Sequence, residues 1–65
     1  MSERQFLTDQ YGNRIGSIET TEDRQTLWDK YGLKLGEYHV RDNVTVDRFG
    51  LKVGTGNLLT SLLRP

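Results

Sequence analysis

The chain has 65 residues, no cysteine and a single histidine. One domain of this size buries only about 60% of its unfolded surface, so a core built from one copy is marginal. Without cysteine the chain cannot supplement this core with a disulfide or with a Cys/His zinc site. We expect neither a metal nor a cofactor. Oligomerisation remains, so the composition predicts a homo-oligomer, most simply a two-fold dimer.

The charges of the chain balance. Nine basic and nine acidic residues give a formal net charge of zero, and they alternate along the chain instead of forming blocks. Because a nucleic-acid module normally carries a basic face, this balance predicts no nucleic-acid partner. The longest apolar run is two residues, so we expect no membrane span, no signal peptide and a cytoplasmic location.

One motif, Asp-x-(Tyr/Phe)-Gly-x-(Arg/Lys)-(Ile/Leu/Val)-Gly, occurs three times. Asp with Gly at the fourth place is typical of a type I turn closed by a glycine with positive φ, in which the carboxylate accepts an amide two residues on. Each motif therefore predicts the turn of a β-hairpin. The predicted turn residues are Asp9 and Gly12, Asp29 and Gly32, and Asp47 and Gly50.

Three hairpins joined by short links predict an all-β fold, an antiparallel meander of about six short strands in one domain. The absence of alanine and the seven threonines suit strands better than helices. The repeat units lie at about 5–19, 24–40 and 44–56. The predicted strands are Gln5 to Thr8, Arg14 to Glu19, Arg24 to Asp29, Leu33 to Val40, Val44 to Asp47 and Leu51 to Thr55.

The predicted turn also indicates which residues oppose each other in each hairpin. Apolar pairs are expected between Leu7 and Ile15, between Leu27 and Leu35, and, half apolar, between Thr45 and Val53. On the opposite face Trp28 is expected beside Lys34.

A second glycine closes each motif, at Gly16, Gly36 and Gly54. A glycine within a strand marks a bulge, a bend or the close approach of another group. We expect the turn aromatics to fold back onto these bare backbones, namely Tyr11, Tyr31 and Phe49.

The tail, residues 57–65, departs from the repeat. Four leucines fall on one face of a single short helix for which Asn57 is the predicted N-cap. A helix of about six residues is not stable alone. The tail, helical or extended, must therefore lie on a surface, either of its own sheet or of a second copy. The leucines are Leu58, Leu59, Leu62 and Leu63.

No group of residues predicts catalysis. His39 has no partner that the sequence singles out as a nucleophile or an acid pair, and the Asp-x-x-Gly turns lack the carboxylate spacing of calcium-binding loops. We therefore expect a protein that is not an enzyme.

Tandem units of about twenty residues with Asp-x-x-Gly turns and aromatics resemble the hairpin repeats of bacterial choline-binding, or cell-wall-binding, modules. The resemblance covers Asp9 to Ile18, Asp29 to Tyr38 and Asp47 to Gly56. It implies the hairpin architecture and offers one functional alternative, a module that binds a carbohydrate or cell-envelope ligand through Trp28, Tyr31 and Tyr38.

The sequence favours a structural or protein-interaction module that self-associates. Its candidate interface combines Trp28 and Tyr38 with the four tail leucines. Aromatics buried against the second glycines would favour this function. Aromatics exposed once per repeat would favour the ligand-binding alternative.

Overall fold

The structure, a computed structural model, describes residues 2–63. Six strands form one antiparallel sheet in which neighbours in sequence are neighbours in space. The sheet is thin, with overall extents of 34 × 28 × 18 Å. This confirms the predicted all-β meander. The strands are β1 (Glu3–Thr8), β2 (Arg14–Thr20), β3 (Arg24–Asp29), β4 (Lys34–His39), β5 (Val44–Asp47) and β6 (Lys52–Thr55).

The three hairpin turns repeat one backbone conformation. In the second, Asp29 Oδ1 accepts the amides of Tyr31 at 2.8 Å and Leu33 at 2.9 Å, and Gly32 closes the turn at a φ of 85°. A residue with a Cβ is strained at such a φ, which explains the glycine. All three turns lie at one end of the meander, which we call the turn edge (residues 9–13, 29–33 and 47–51).

Each hairpin contains a β-bulge one residue beyond its turn. Thr8 pairs with Arg14 as the turn predicts, but Leu7 then pairs with Gly16, so Ile15 is the extra residue. The expected apolar pairs are therefore wrong, because the bulge shifts the register by one residue. The second glycines take the place opposite Leu7, Leu27 and Thr45.

The end of the chain crosses one face of the sheet as a strap, residues 57–63, which ends in a short 3-10 helix at Leu59–Leu63. Asn57 Oδ1 accepts the amide of Leu59 at 3.2 Å, as an N-cap does. The predicted tail continues to residue 65, and its last two residues lie outside the described residues.

The leucines of the strap, not the turn aromatics, occupy the space above the second glycines. Measured from an ideal Cβ on the glycine, Leu58 Cδ1 lies 2.7 Å from Gly54, Leu62 Cδ1 2.5 Å from Gly36, and Leu63 Cδ2 3.4 Å from Gly16. The expectation that Tyr11, Tyr31 and Phe49 fold back onto these glycines is wrong, because the leucines already fill that space and the rings are exposed.

Thr45 anchors the strap. Its hydroxyl donates to the carbonyl of Gly56 at 2.7 Å and accepts the amide of Leu58 at 3.0 Å. The side chain is fully buried, as are Leu27 and Leu59. The first two repeats have leucine at the corresponding place. A leucine at position 45 would leave the carbonyl of Gly56 and the amide of Leu58 without this hydroxyl partner.

Candidate functional site

The turn edge exposes a row of apolar side chains. Tyr11, Tyr31 and Phe49 are 79%, 77% and 72% exposed, and Leu33 and Leu51, which follow the turn glycines, are 64% and 65% exposed. Large apolar side chains this open are unusual when they stand side by side. The turn edge is therefore the first candidate for a functional surface.

The three rings occupy equivalent positions in turns of one backbone conformation. Each ring is borne by the third residue of its turn, whose amide is held by the Asp carboxylate at 2.8–2.9 Å. Successive turns are two strands apart, which places them at a spacing of about 10 Å. The row therefore presents aromatic rings at a regular interval.

Basic side chains lie over two of these rings. Lys30 Nζ lies 5.2 Å from the ring centroid of Tyr31, and the guanidinium of Arg48 lies 4.8 Å from that of Phe49. In the first turn the backbone amide of Asn13 donates to the carboxylate of Asp9, and this hydrogen bond holds the pKa of the Asp9 carboxyl below its ordinary value. The edge is an apolar row with an ionised rim.

The structure does not bring Trp28, Tyr31 and Tyr38 together. Trp28 pairs with Ser17 and Lys34, whereas Tyr38 pairs with Thr45 on the face that the strap covers. The hydroxyl of Tyr38 donates to Asn43 at 2.7 Å. Because Trp28 and Tyr38 point to opposite faces and Tyr31 lies at the turn edge, the three rings cannot contact one ligand at once.

The tail leucines pack within their own chain. Leu59 is fully buried, Leu62 and Leu63 are half-buried against the sheet, and Leu58 is the most open of the four at 36% exposed. Most of their apolar surface is thus already covered by the sheet.

The face opposite the strap is polar and carries Trp28. The indole Nε1 is buried without a hydrogen-bond partner among residues 2–63. On the same face Glu37 accepts from Arg24 at 3.1 Å and Lys34 at 3.2 Å. Burial raises the pKa of Glu37, but the hydrogen bond and charge of Lys34, helped by Arg24, outweigh this effect and lower it.

An open depression of about 350 Å³, lined by Ser2, Thr21, Glu22, Asp23 and Arg41, lies at the end of the sheet away from the turn edge. Within residues 2–63, no cluster of three or more His, Cys, Asp or Glu side chains has metal-site geometry, and no helix has the length and apolar character to cross a membrane.

The sequence pattern did not predict that Leu33 and Leu51 belong to the apolar turn edge. The turn motif could have indicated it, because the turn aspartate holds the backbone amide of each leucine. An amide turned inward toward the carboxylate leaves the side chain at the outer end of the hairpin. An apolar residue directly after the turn glycine is therefore a sign of an exposed apolar edge.

The chain matches no family model, no curated protein and no solved structure. The resemblance to cell-wall-binding repeats therefore stays a prediction.

Proposed function

We propose that the chain is a non-enzymatic structural or protein-interaction module that forms a homodimer through its turn edge. The proposal is carried by the apolar surface of Tyr11, Tyr31, Phe49, Leu33 and Leu51. At about 200 Å² for a fully exposed side chain, these five expose on the order of 700 Å². A typical specific interface buries about 800 Å² per partner, so two turn edges that bury these side chains in full come close to the area that a dimer needs.

The shape of the chain supports the same proposal. Its accessible surface is 4923 Å² at a mass of 7.5 kDa, whereas a compact monomer of that mass exposes about 4,200 Å². A two-fold axis perpendicular to the row of turns would set the first turn of one copy against the third turn of the other, and the second turn against itself. We place this module in the cytoplasm, since a chain without cysteine takes no disulfide stabilisation from an oxidising compartment.

Sedimentation equilibrium of wild type and a double variant tests the dimer. Leu33→Ser with Leu51→Ser removes apolar area from the turn edge and keeps the backbone amides that Asp29 and Asp47 hold. Val40→Ser is the matched control, because Val40 is 46% exposed at the other end of the sheet. We expect a wild-type dimer, an unchanged control and a double variant whose dimer is at least about ten-fold weaker. Equal dimerisation of all three proteins would refute the turn-edge interface.

A second candidate is the carbohydrate or cell-envelope ligand-binding module, favoured by the exposure of one ring per repeat. The ring set would be Tyr11, Tyr31 and Phe49 instead of Trp28, Tyr31 and Tyr38, since the first three occupy equivalent positions in successive turns and the second three lie on different surfaces. Their spacing of about 10 Å suits an extended β-linked glycan, whose sugar rings offer apolar C–H faces at regular intervals.

The two candidates separate by variant. Tyr31→Ser should abolish retention on chitin or cellulose if rings bind the glycan, and the Leu33→Ser, Leu51→Ser variant should be retained like wild type. Retention that is absent in wild type, or is lost equally in both variants, would reject the glycan-binding candidate.

A further inference from the structure

Basic and acidic residues that alternate along the strands are distributed unequally between the two faces of the sheet. Side chains alternate between faces along a strand, and paired neighbours share a face. The face with Trp28, which we call the basic face, carries five basic residues and two acidic ones, a net excess of three positive charges. They are Arg4, Arg14, Arg24, Lys34 and Lys52 against Glu19 and Glu37. The strands of the strap face carry Glu3, Asp29 and Asp47.

The ion pairs on the basic face leave this excess in place. Glu37 pairs with Arg24 and Lys34, and Glu19 pairs with Arg4 at 3.9 Å. Two carboxylates cannot neutralise five cations, and Glu37, whose pKa is lowered, stays ionised at neutral pH. An anion with several regularly spaced charges is the electrostatic complement of such a face.

Aromatic side chains lie among these cations. Phe6 and Trp28 flank Ser17 in one row across β1, β2 and β3, and Ser17 is buried between them. Phe6 is 49% exposed, and the guanidinium of Arg14 lies 3.8 Å from its ring centroid. Trp28 is half-buried and its Nε1 is buried, so the part of its indole that is exposed is carbon. Planar ligand groups stack on ring carbons and on arginine planes of this kind.

We propose that the basic face binds single-stranded nucleic acid, with phosphates on the cations and bases stacked on Trp28 and on the Arg14–Phe6 pair. Any polyanion would satisfy the charge, but a nucleic-acid strand also supplies flat aromatic groups. The zero net charge of the chain does not oppose this binding, because the acidic residues of the strands lie mainly on the other face. The basic face shares no residue with the turn edge, whose three turns end directly before Arg14, Lys34 and Lys52, so different variants test this binding and the dimer proposed above.

Fluorescence anisotropy with a labelled single-stranded oligodeoxythymidylate measures the affinity. For a net contact of three charges, the logarithm of the binding constant should fall with that of salt concentration at a slope of about −2. Lys52→Gln should reduce the slope by about 0.7, whereas Lys30→Gln, the same change at the turn edge, should leave it unchanged. Phe6→Leu should weaken binding by roughly 5- to 150-fold.

Trp28 is the only tryptophan of the chain, so its emission reports stacking directly. We expect quenching by the oligonucleotide and none by inorganic polyphosphate at saturating concentration. Quenching that is absent, or equal with polyphosphate, would overturn the stacking. An affinity independent of salt, or reduced equally by Lys52→Gln and Lys30→Gln, would overturn the basic face as the site, and anisotropy unchanged at low salt would overturn the whole proposal.

Discussion

Leu62 fills the space that a side chain on Gly36 would need. An ideal Cβ on Gly36 would lie 2.5 Å from Leu62 Cδ1 and 2.6 Å from the carbonyl oxygen of Val46. Leu58 Cδ1 lies 2.7 Å from a Cβ on Gly54, whereas a Cβ on Gly16 would meet the carbonyl oxygen of Trp28 at 2.5 Å, with Leu63 Cδ2 at 3.4 Å. Gly36 is thus required by both the strap and the neighbouring backbone, and Gly16 by the neighbouring backbone, whereas a side chain on Gly54 would meet only the flexible end of Leu58.

This relationship predicts that Gly36→Ala is strongly destabilising. The carbonyl of Val46 is part of the sheet and cannot move aside cheaply, so we expect a loss near the upper end of the roughly 1–3 kcal/mol typical of overpacking. Gly54→Ala is the matched control, because its Cβ would meet only the flexible end of Leu58. It should cost less than about 1 kcal/mol. Equal urea midpoints for the two variants would contradict this prediction.

Gly32 tests the turn independently of packing. A Cβ there would have no atom within 4 Å, so the cost of Gly32→Ala comes from its φ of 85° alone. We expect a loss of about 1 kcal/mol in urea unfolding and a smaller one for Gly32→Asn, since asparagine tolerates the left-handed region. Wild-type stability of the alanine variant would show that the turn is not constrained in this way.

Thr45 tests the anchoring of the strap. Thr45→Val keeps the shape but leaves the amide of Leu58 and the carbonyl of Gly56 without the hydroxyl. We expect a loss of about 1–3 kcal/mol and faster hydrogen exchange at the Leu58 amide. Thr45→Ser, which keeps the hydroxyl, should retain slow exchange. A valine variant with wild-type stability and exchange would mean that the hydroxyl does not hold the strap.

The meander and its turns could be predicted from the sequence because their causes are local. The carboxylates of Asp9, Asp29 and Asp47 accept hydrogen bonds from the backbone amides two and four residues later. The turn glycines are needed only because their backbone can adopt the conformation of the turn. A spacing that recurs three times shows such a cause directly.

The partners of the second glycines could not be predicted, because they depend on contacts far apart in sequence. Leu63 lies over Gly16, and no local pattern connects them. The β-bulge at Ile15 shifts the register and thereby decides which residue faces the strap. Likewise, the even charge balance of the chain gives no sign of the separation by face until the strands are paired.

The lowered pKa of Glu37 predicts that the free energy of unfolding depends on pH. This pKa is lowered from the ordinary 4.5, because Lys34 and Arg24 outweigh the effect of burial. A carboxyl with a lowered folded pKa stabilises the fold above its unfolded pKa and loses that contribution as pH falls through the folded pKa. Glu37→Gln should therefore lose less stability than wild type between neutral and acidic pH.

The matched control for this pH series is Glu22→Gln, which changes an exposed glutamate in the loop after β2. It should follow the wild-type curve of unfolding free energy against pH. If Glu37→Gln also follows that curve, the ion pairs of Glu37 do not contribute to stability.

The proposed self-association through the turn edge is measured by light scattering on the 65-residue chain across a wide range of concentration. We predict a mass that rises from one copy to two, a melting temperature that rises with concentration, and loss of both effects in the Leu33→Ser, Leu51→Ser variant. A chain that stays monomeric at high micromolar concentration, with a melting temperature independent of concentration, would contradict the claim.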